Sequence, residues 1–238
     1  MAKRGKISGF QTQEAEGRPV RIKKYQYLFL IVCEDEKTEP SYFSKFGAQI
    51  PPKTIYLKPV GTGRDAKGVV TQAIQERLLL EQEADKEVDE VWVVYDKDDA
   101  DLNETRLENF HQAFKIARKE NMEIAYSNEA FELWLLLHFA SVSSEKPIAR
   151  SEIYEALQAE IRKKEGYANF EYDHKRPDPT TVNIVFAVGN LAKAMERAEQ
   201  LAIHHAGKAP IAANPSTTVH RLVQTLQGWI RYYGYSPD

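Results

Sequence analysis

The chain has 238 residues, 42% hydrophobic and 28% charged, with a formal net charge of −3. That suits one large domain or a domain with an appendage, and it excludes a bulk polycation, so any nucleic-acid binding needs a local basic surface. A single cysteine, Cys33, excludes an internal disulfide and a cysteine-cluster zinc site.

Residues 1–24 carry Lys3, Arg4, Lys6, Arg18, Arg21, Lys23 and Lys24. They read as a basic arm, more simply a solubilising tail than a phosphate contact. Residues 25–33 are almost continuously apolar, the mark of a strand buried on both faces. A turn over 34–37 follows, and Thr38 is expected to cap a helix to about residue 50, with Pro40 tolerated in its first turn. Pro51-Pro52 ends it. Residues 53–59 read as a second strand. Residues 61–68 form a glycine-rich loop without the ending of a P-loop, read as a linker that brings Arg64 or Lys67 near a substrate. A helix over 69–86, a strand over 88–95, a helix over 104–120 and a strand over 122–126 complete a β-α-β-α-β-α-β order, which predicts a mostly parallel sheet.

Residues 127–139 read as a capped helix with an apolar body. No strand is expected after about residue 140. Helices are expected over 150–164, 180–205 (with a break near Gly189) and 216–231, and a loop at Lys175-Arg176-Pro177-Asp178-Pro179. The fold class is therefore α/β: a basic arm over 1–24, an α/β domain over 25–140 and a helical region over 141–238. No run reaches the about 18 consecutive apolar residues of a membrane span. The start lacks the apolar stretch of a signal peptide. A cytoplasmic protein without a membrane partner is expected.

Two apolar runs stop at carboxylates: Val32-Cys33-Glu34 and Val93-Val94-Tyr95-Asp96-Lys97-Asp98. As neighbouring parallel strands they would gather Glu34, Asp96 and Asp98 where such sheets bind ligands. Like charges so placed need protons or a cation, and hard oxygen donors suit Mg²⁺ or Mn²⁺. Glu132 is a charge inside an apolar helix, so it either faces that site or pairs with a base. Glu39 serves equally as a complement to the helix dipole. Lys37 and Lys97 stand where they could meet phosphate oxygens as point charges. The Asn214–Thr218 segment reads first as a helix cap and second as a way to bring His220 and Arg221 to phosphates. His138 reads as a packed, hydrogen-bonded histidine.

The glutamate after the first strand and the Asp-x-Asp after a later one resemble a Toprim domain. Four motifs in order resemble, more closely, the RloB family: Cys33-Glu34 with Glu36-Lys37-Thr38-Glu39-Pro40; Asp96-Lys97-Asp98-Asp99; Phe131-Glu132-Leu133-Trp134 running to His138-Phe139; and Asn214-Pro215-Ser216-Thr217-Thr218-Val219-His220. The resemblance spans about residues 25–227. This chain departs from the family pattern at Asp35, where glycine is usual, and at Glu129, where proline is usual.

The resemblance implies a Toprim-like fold and a Mg²⁺- or Mn²⁺-dependent nuclease in phage defence, found in restriction-modification loci. Its implied partners are DNA or RNA and an RloA-like ATPase. Self-association is left open. Glu34, Asp96 and Asp98 would be the metal and catalytic residues. Glu39, Glu132, Lys37 and Lys97 would assist, and Arg64, Lys67, His220 and Arg221 would bind substrate. The rival readings are a non-catalytic nucleic-acid-binding or regulatory partner of the ATPase, and nucleotidyl transfer at the same metal site. A topoisomerase needs a nucleophilic tyrosine; Tyr172, Tyr232 and Tyr233 are available, but no motif marks them.

Overall fold

The computed structural model describes residues 22–174 and 179–235. Most of the basic arm, through residue 21, and the loop at 175–178 lie outside the described residues. Four strands form one all-parallel sheet in the order β2-β1-β3-β4: β1 Tyr27–Cys33, β2 Ile55–Gly61, β3 Glu90–Asp96 and β4 Glu123–Ser127. Three helices make the crossovers: α1 Thr38–Ser44, α2 Ala66–Ala84 and α3 Glu104–Lys119. Five more follow: α4 Glu132–Leu137, α5 Arg150–Arg162, α6 Pro179–Val188, α7 Leu191–His204 and α8 Val219–Gly234. None of the described helices is long and apolar enough to cross a membrane.

Alternation along the strands divides the core in two, because successive side chains leave a strand on opposite faces. Leu28, Leu30 and Val32 of β1 join Val91, Val93 and Tyr95 of β3 under α2 and α3. Phe29, Ile31 and Cys33 join Trp92 and Val94 on the other face, with residues of α1 and of the helices after residue 130. The late helices are thus the second wall of the sheet. A strand covered on both sides must be apolar at every position, which explains the unbroken run that ends at Cys33.

At three helix starts a polar side chain is used otherwise than expected. The N-cap of α1 is Lys37, not Thr38, and Asp35 supplies the acceptor from two residues earlier: its Oδ1 accepts the backbone N–H of Lys37 and, at 2.7 Å, that of Thr38. The second crossover helix begins at Ala66, since Asp65 Oδ1 accepts from Gly68 N at 2.9 Å. The apolar segment expected to be helical over 127–139 is helical only over Glu132–Leu137. Asn128 does not cap it; its side chain donates to the Pro210 carbonyl at 2.9 Å.

The break near Gly189 is present between α6 and α7. A Cβ there would stand 2.5 Å from the Val185 carbonyl oxygen and 3.0 Å from His138 Cβ, so only glycine permits this approach.

The N-terminal ends of the strands are tied to α8 by one carboxylate. Glu90 Oε2 accepts from Tyr27 Oη at 2.8 Å and Trp229 Nε1 at 2.9 Å, and Oε1 accepts from Trp92 Nε1 at 2.7 Å. The Tyr27 and Trp229 rings lie 4.2 Å apart. Glu90→Ala would strand three donors, so it should lower the unfolding free energy by about 2–4 kcal/mol in a urea titration. An unchanged midpoint would show that the three donors find water instead.

Candidate active site

β1 and β3 are hydrogen-bonded neighbours, paired from Phe29–Glu90 to Cys33–Val94. The chain leaves β1 towards β2 on one side and later returns to β3 on the other, so the strand order reverses between them. In open parallel sheets this reversal opens a crevice beyond the carboxyl ends. Glu34 and Asp96 stand at those two ends. The backbone stitches them together: Glu34 N donates to the Val94 carbonyl at 2.9 Å, and Asp96 N donates to Glu34 Oε2 at 2.9 Å.

Gly61 makes this turn possible. A Cβ there would lie 2.6 Å from the Asp35 carbonyl oxygen and from Glu36 Cα. The end of β2 therefore passes directly beneath the acidic turn.

Asp96 Oδ2 accepts from Phe131 N at 3.0 Å, which places the start of α4 against the site. Its other oxygen, Oδ1, is buried without a hydrogen-bond partner. Asp98 sits in a left-handed turn at φ 51, a conformation aspartate tolerates. Its Oδ1 lies 2.8 Å from Arg150 Nη2, and Asp99 Oδ2 lies 3.5 Å from the same nitrogen. Glu39 is 1% exposed and accepts from Asp35 N at 3.2 Å. Glu132 accepts a short hydrogen bond from the Tyr172 hydroxyl.

Burial and mutual repulsion push these acids upward. Glu34 rises to about 8, first through burial, against the Asp96 N–H that lowers it, then through Asp98. Asp96 is raised by burial and then by Glu39, Glu34 and Asp98. Glu39 is raised by burial and then by Glu34 and Asp35. Asp98 and Glu132 are raised by burial too, partly offset by Arg150 and by the Tyr172 hydroxyl respectively. Burial works to lower the Arg150 pKa, but Asp98 and Asp99 outweigh it and the guanidinium stays charged.

The donor set fits a hard divalent cation in kind. Glu34 and Asp96 each use one oxygen on a backbone N–H and keep the other, and Asp96 Oδ1 is an orphan. Among the described residues, no three His, Cys, Asp or Glu side chains are already grouped to hold a metal ion. Glu34, Asp96 and Asp98 are gathered and electrostatically coupled, without converging as ready ligands.

A family model described as RloB-like protein matches residues 29–226. The chain belongs to the RloB-like family. Comparisons with curated proteins and with solved structures returned no match.

The other candidate residues of this RloB-like chain divide by position. Lys37, Arg64 and Lys67 are exposed at the same end of the sheet. Lys97 is buried, its ammonium 2.6 Å from Glu129 Oε1 and 2.9 Å from Asp101 Oδ1; burial opposes its charge and these two bonds restore it. It ties the Asp-x-Asp loop to residue 129 and is not free to meet a phosphate. His220 is 1% exposed, with Nδ1 against the Thr217 carbonyl at 2.9 Å and Nε2 against Glu199 Oε2 at 3.1 Å. Neither nitrogen is left for a substrate. Arg221 is exposed on α8. His138 is packed beside Tyr42, whose hydroxyl lies 3.1 Å from Nε2, and burial lowers its pKa to about 3.

Sequence reasoning missed Arg150 and Tyr154, and met Tyr172 only as an unmarked candidate nucleophile. The Tyr154 ring packs on that of Tyr172 at 5.3 Å, and both hydroxyls have their pKa raised by burial and then by Glu132. The one signal available was Glu132 itself, an inward charge that called for a partner.

Two outcomes follow for the protein without divalent cation. Glu34 is protonated in the fold and ionised in the unfolded chain between its ordinary 4.5 and about 8. Its contribution is fully present below 4.5 and is lost as pH rises through 8. Glu34→Gln removes this loss, so its melting temperature should exceed wild type by several degrees at alkaline pH and match it in mild acid. Thermal melts across that range check this. Gly61→Ala should lower the melting temperature at every pH, because the added methyl displaces the acidic turn.

Proposed function

We propose that this RloB-like chain is a Toprim-type, Mg²⁺- or Mn²⁺-dependent nuclease that hydrolyses phosphodiester bonds of nucleic acid in phage defence, together with an RloA-like ATPase. The observation that carries the reading is a half-buried set of carboxylates, raised by burial and by neighbouring acids, at the point of strand reversal, with one oxygen of Asp96 unpartnered. Structural acids are seldom stacked in this way, because each raises the cost of ionising the next.

Asp96 and Asp98 would hold the cation, with Glu34 beside them. When bound, the cation neutralises charge on the phosphate and on the leaving oxygen. The chain's own groups do the rest. Glu34, lifted to about 8, can hold or release a proton near neutral pH at Oε1, the oxygen left free by the Asp96 N–H. Arg150 holds Asp98 in its turn and keeps one positive charge in a site otherwise acidic. Lys37, exposed on the rim and without an acid partner among the described residues, can meet a phosphate oxygen. Tyr172 keeps Glu132 hydrogen-bonded, so its charge adds less to the repulsion around Asp96.

The purified chain, alone and with the ATPase, should cut labelled DNA or RNA in the presence of Mg²⁺ or Mn²⁺. Asp96→Asn should lower that rate at least ~100-fold, the scale of losing a group used in the transition state. Mn²⁺ should also raise the melting temperature of wild type but not of Asp96→Asn. Absence of cutting under every condition would sink the nuclease reading; a wild-type shift retained by Asp96→Asn would sink the assignment of the site.

A further inference from the structure

A second feature lies on the outer edge of β4, away from β3. An open groove of about 650 Å³ runs between that strand, the last turn of α3, the end of α7 with the connector after it, and the first turn of α8. Three cations line it: Arg118 from α3, Lys208 from the connector and Arg221 from α8. Glu123 is the one acidic residue in its lining among the described residues. Neither guanidinium has an acid partner within ion-pair distance among the described residues. In a chain of net charge −3, this is the kind of local basic surface that polyanion binding requires.

His205 also belongs to the lining and fixes the Lys208 ammonium. Lys208 Nζ lies 3.0 Å from His205 Nδ1. An ammonium can only donate, so Nδ1 accepts and the ring proton sits on Nε2. That Nε2–H is buried without a hydrogen bond; the Pro215 carbonyl is near it but outside bonding geometry. Burial, then Lys208 and His204, lower the His205 pKa. Tyr126 and Phe114 add an aromatic wall, their rings edge to face at 5.8 Å. A basic track with an aromatic wall is how single strands are held without base reading.

The groove is joined to the carboxylate site through β4. Asn128 N donates to the Ser216 carbonyl at 2.8 Å on the groove side, while Lys97 N donates to the Ser127 carbonyl at 2.9 Å on the site side. We infer that the Arg118–Lys208–Arg221 groove binds the phosphates of a single nucleic-acid strand, as a track beside the carboxylate site. The preference for anions comes from the groove alone; the strand as occupant rests on the nuclease reading.

The test is fluorescence anisotropy with labelled single-stranded DNA and RNA oligonucleotides, on the full chain, in EDTA so that no cleavage occurs. The Arg118→Gln/Arg221→Gln double variant changes two exposed side chains, and its melting temperature should match wild type. It should bind at least ~10-fold more weakly, and its salt dependence should be shallower by roughly 0.7 for each phosphate no longer neutralised. Asp96→Asn should bind like wild type. Equal affinity and equal salt slope in the double variant would overturn the groove, and so would the absence of binding by wild type. Displacement by ATP or inorganic phosphate as effective as by unlabelled strand, at equal phosphate concentration, would overturn the strand as occupant. Binding that depends on the groove in a chain that never cleaves would remove the nuclease reading and leave the groove standing.

Discussion

The structure turns on the cost of placing several carboxylates in one poorly hydrated crevice. Glu39 is buried, Glu34 and Asp96 are half-buried, and Glu34 raises both Asp96 and Glu39 while Asp98 raises Glu34 and Asp96. The fold answers with donors fixed in the backbone: Asp96 N to Glu34, Phe131 N to Asp96, Asp35 N to Glu39. It adds one guanidinium, Arg150, and one phenol, Tyr172. These partners come from five places in the chain, so the crevice exists only when the sheet and the later helices are assembled. The arrangement lowers the repulsion without abolishing it, and the remaining repulsion is what a bound cation would relieve.

That dependence explains the division of labour between the two ends of the sheet. At the amino ends, Glu90 gathers three hydrogen-bond donors from β1, β3 and α8, and aromatic rings close over it. Both of its oxygens are engaged, and it serves as a tie between elements. At the carboxyl ends each acid has a single such partner, and Asp96 Oδ1 has none. One residue type therefore plays opposite parts, decided by how many partners the topology supplies.

Much of this was legible in the sequence. The unbroken apolar run before Glu34 and the run before Asp96 read as strands, and the neighbourhood expected of them is the observed β1–β3 pairing. The order of the four motifs pointed to the RloB-like family, which the match over residues 29–226 shows. What could not be read were partners set by tertiary packing. Arg150 opens an ordinary charged helix, and nothing local ties it to Asp98, 52 positions earlier. Lys97 resembled a phosphate contact because its burial against Glu129 depends on a turn at φ 83 that propensity does not foresee. Residues 127–131 read as the start of a capped helix, whereas the Asn128 amide is spent on Pro210.

The short segment Ser216–Thr218 has a further consequence. It lies antiparallel against the end of β4, through the Ser127–Thr217 bridge and the bond from Thr218 N to the Tyr126 carbonyl at 2.8 Å. An uncovered strand edge is a template for pairing with other chains. During synthesis this cover arrives about ninety residues after the strand it protects, since the bridge joins positions 127 and 217. Until then the carboxyl end of that margin is bare, and a segment that leaves the ribosome much later is the one that covers it.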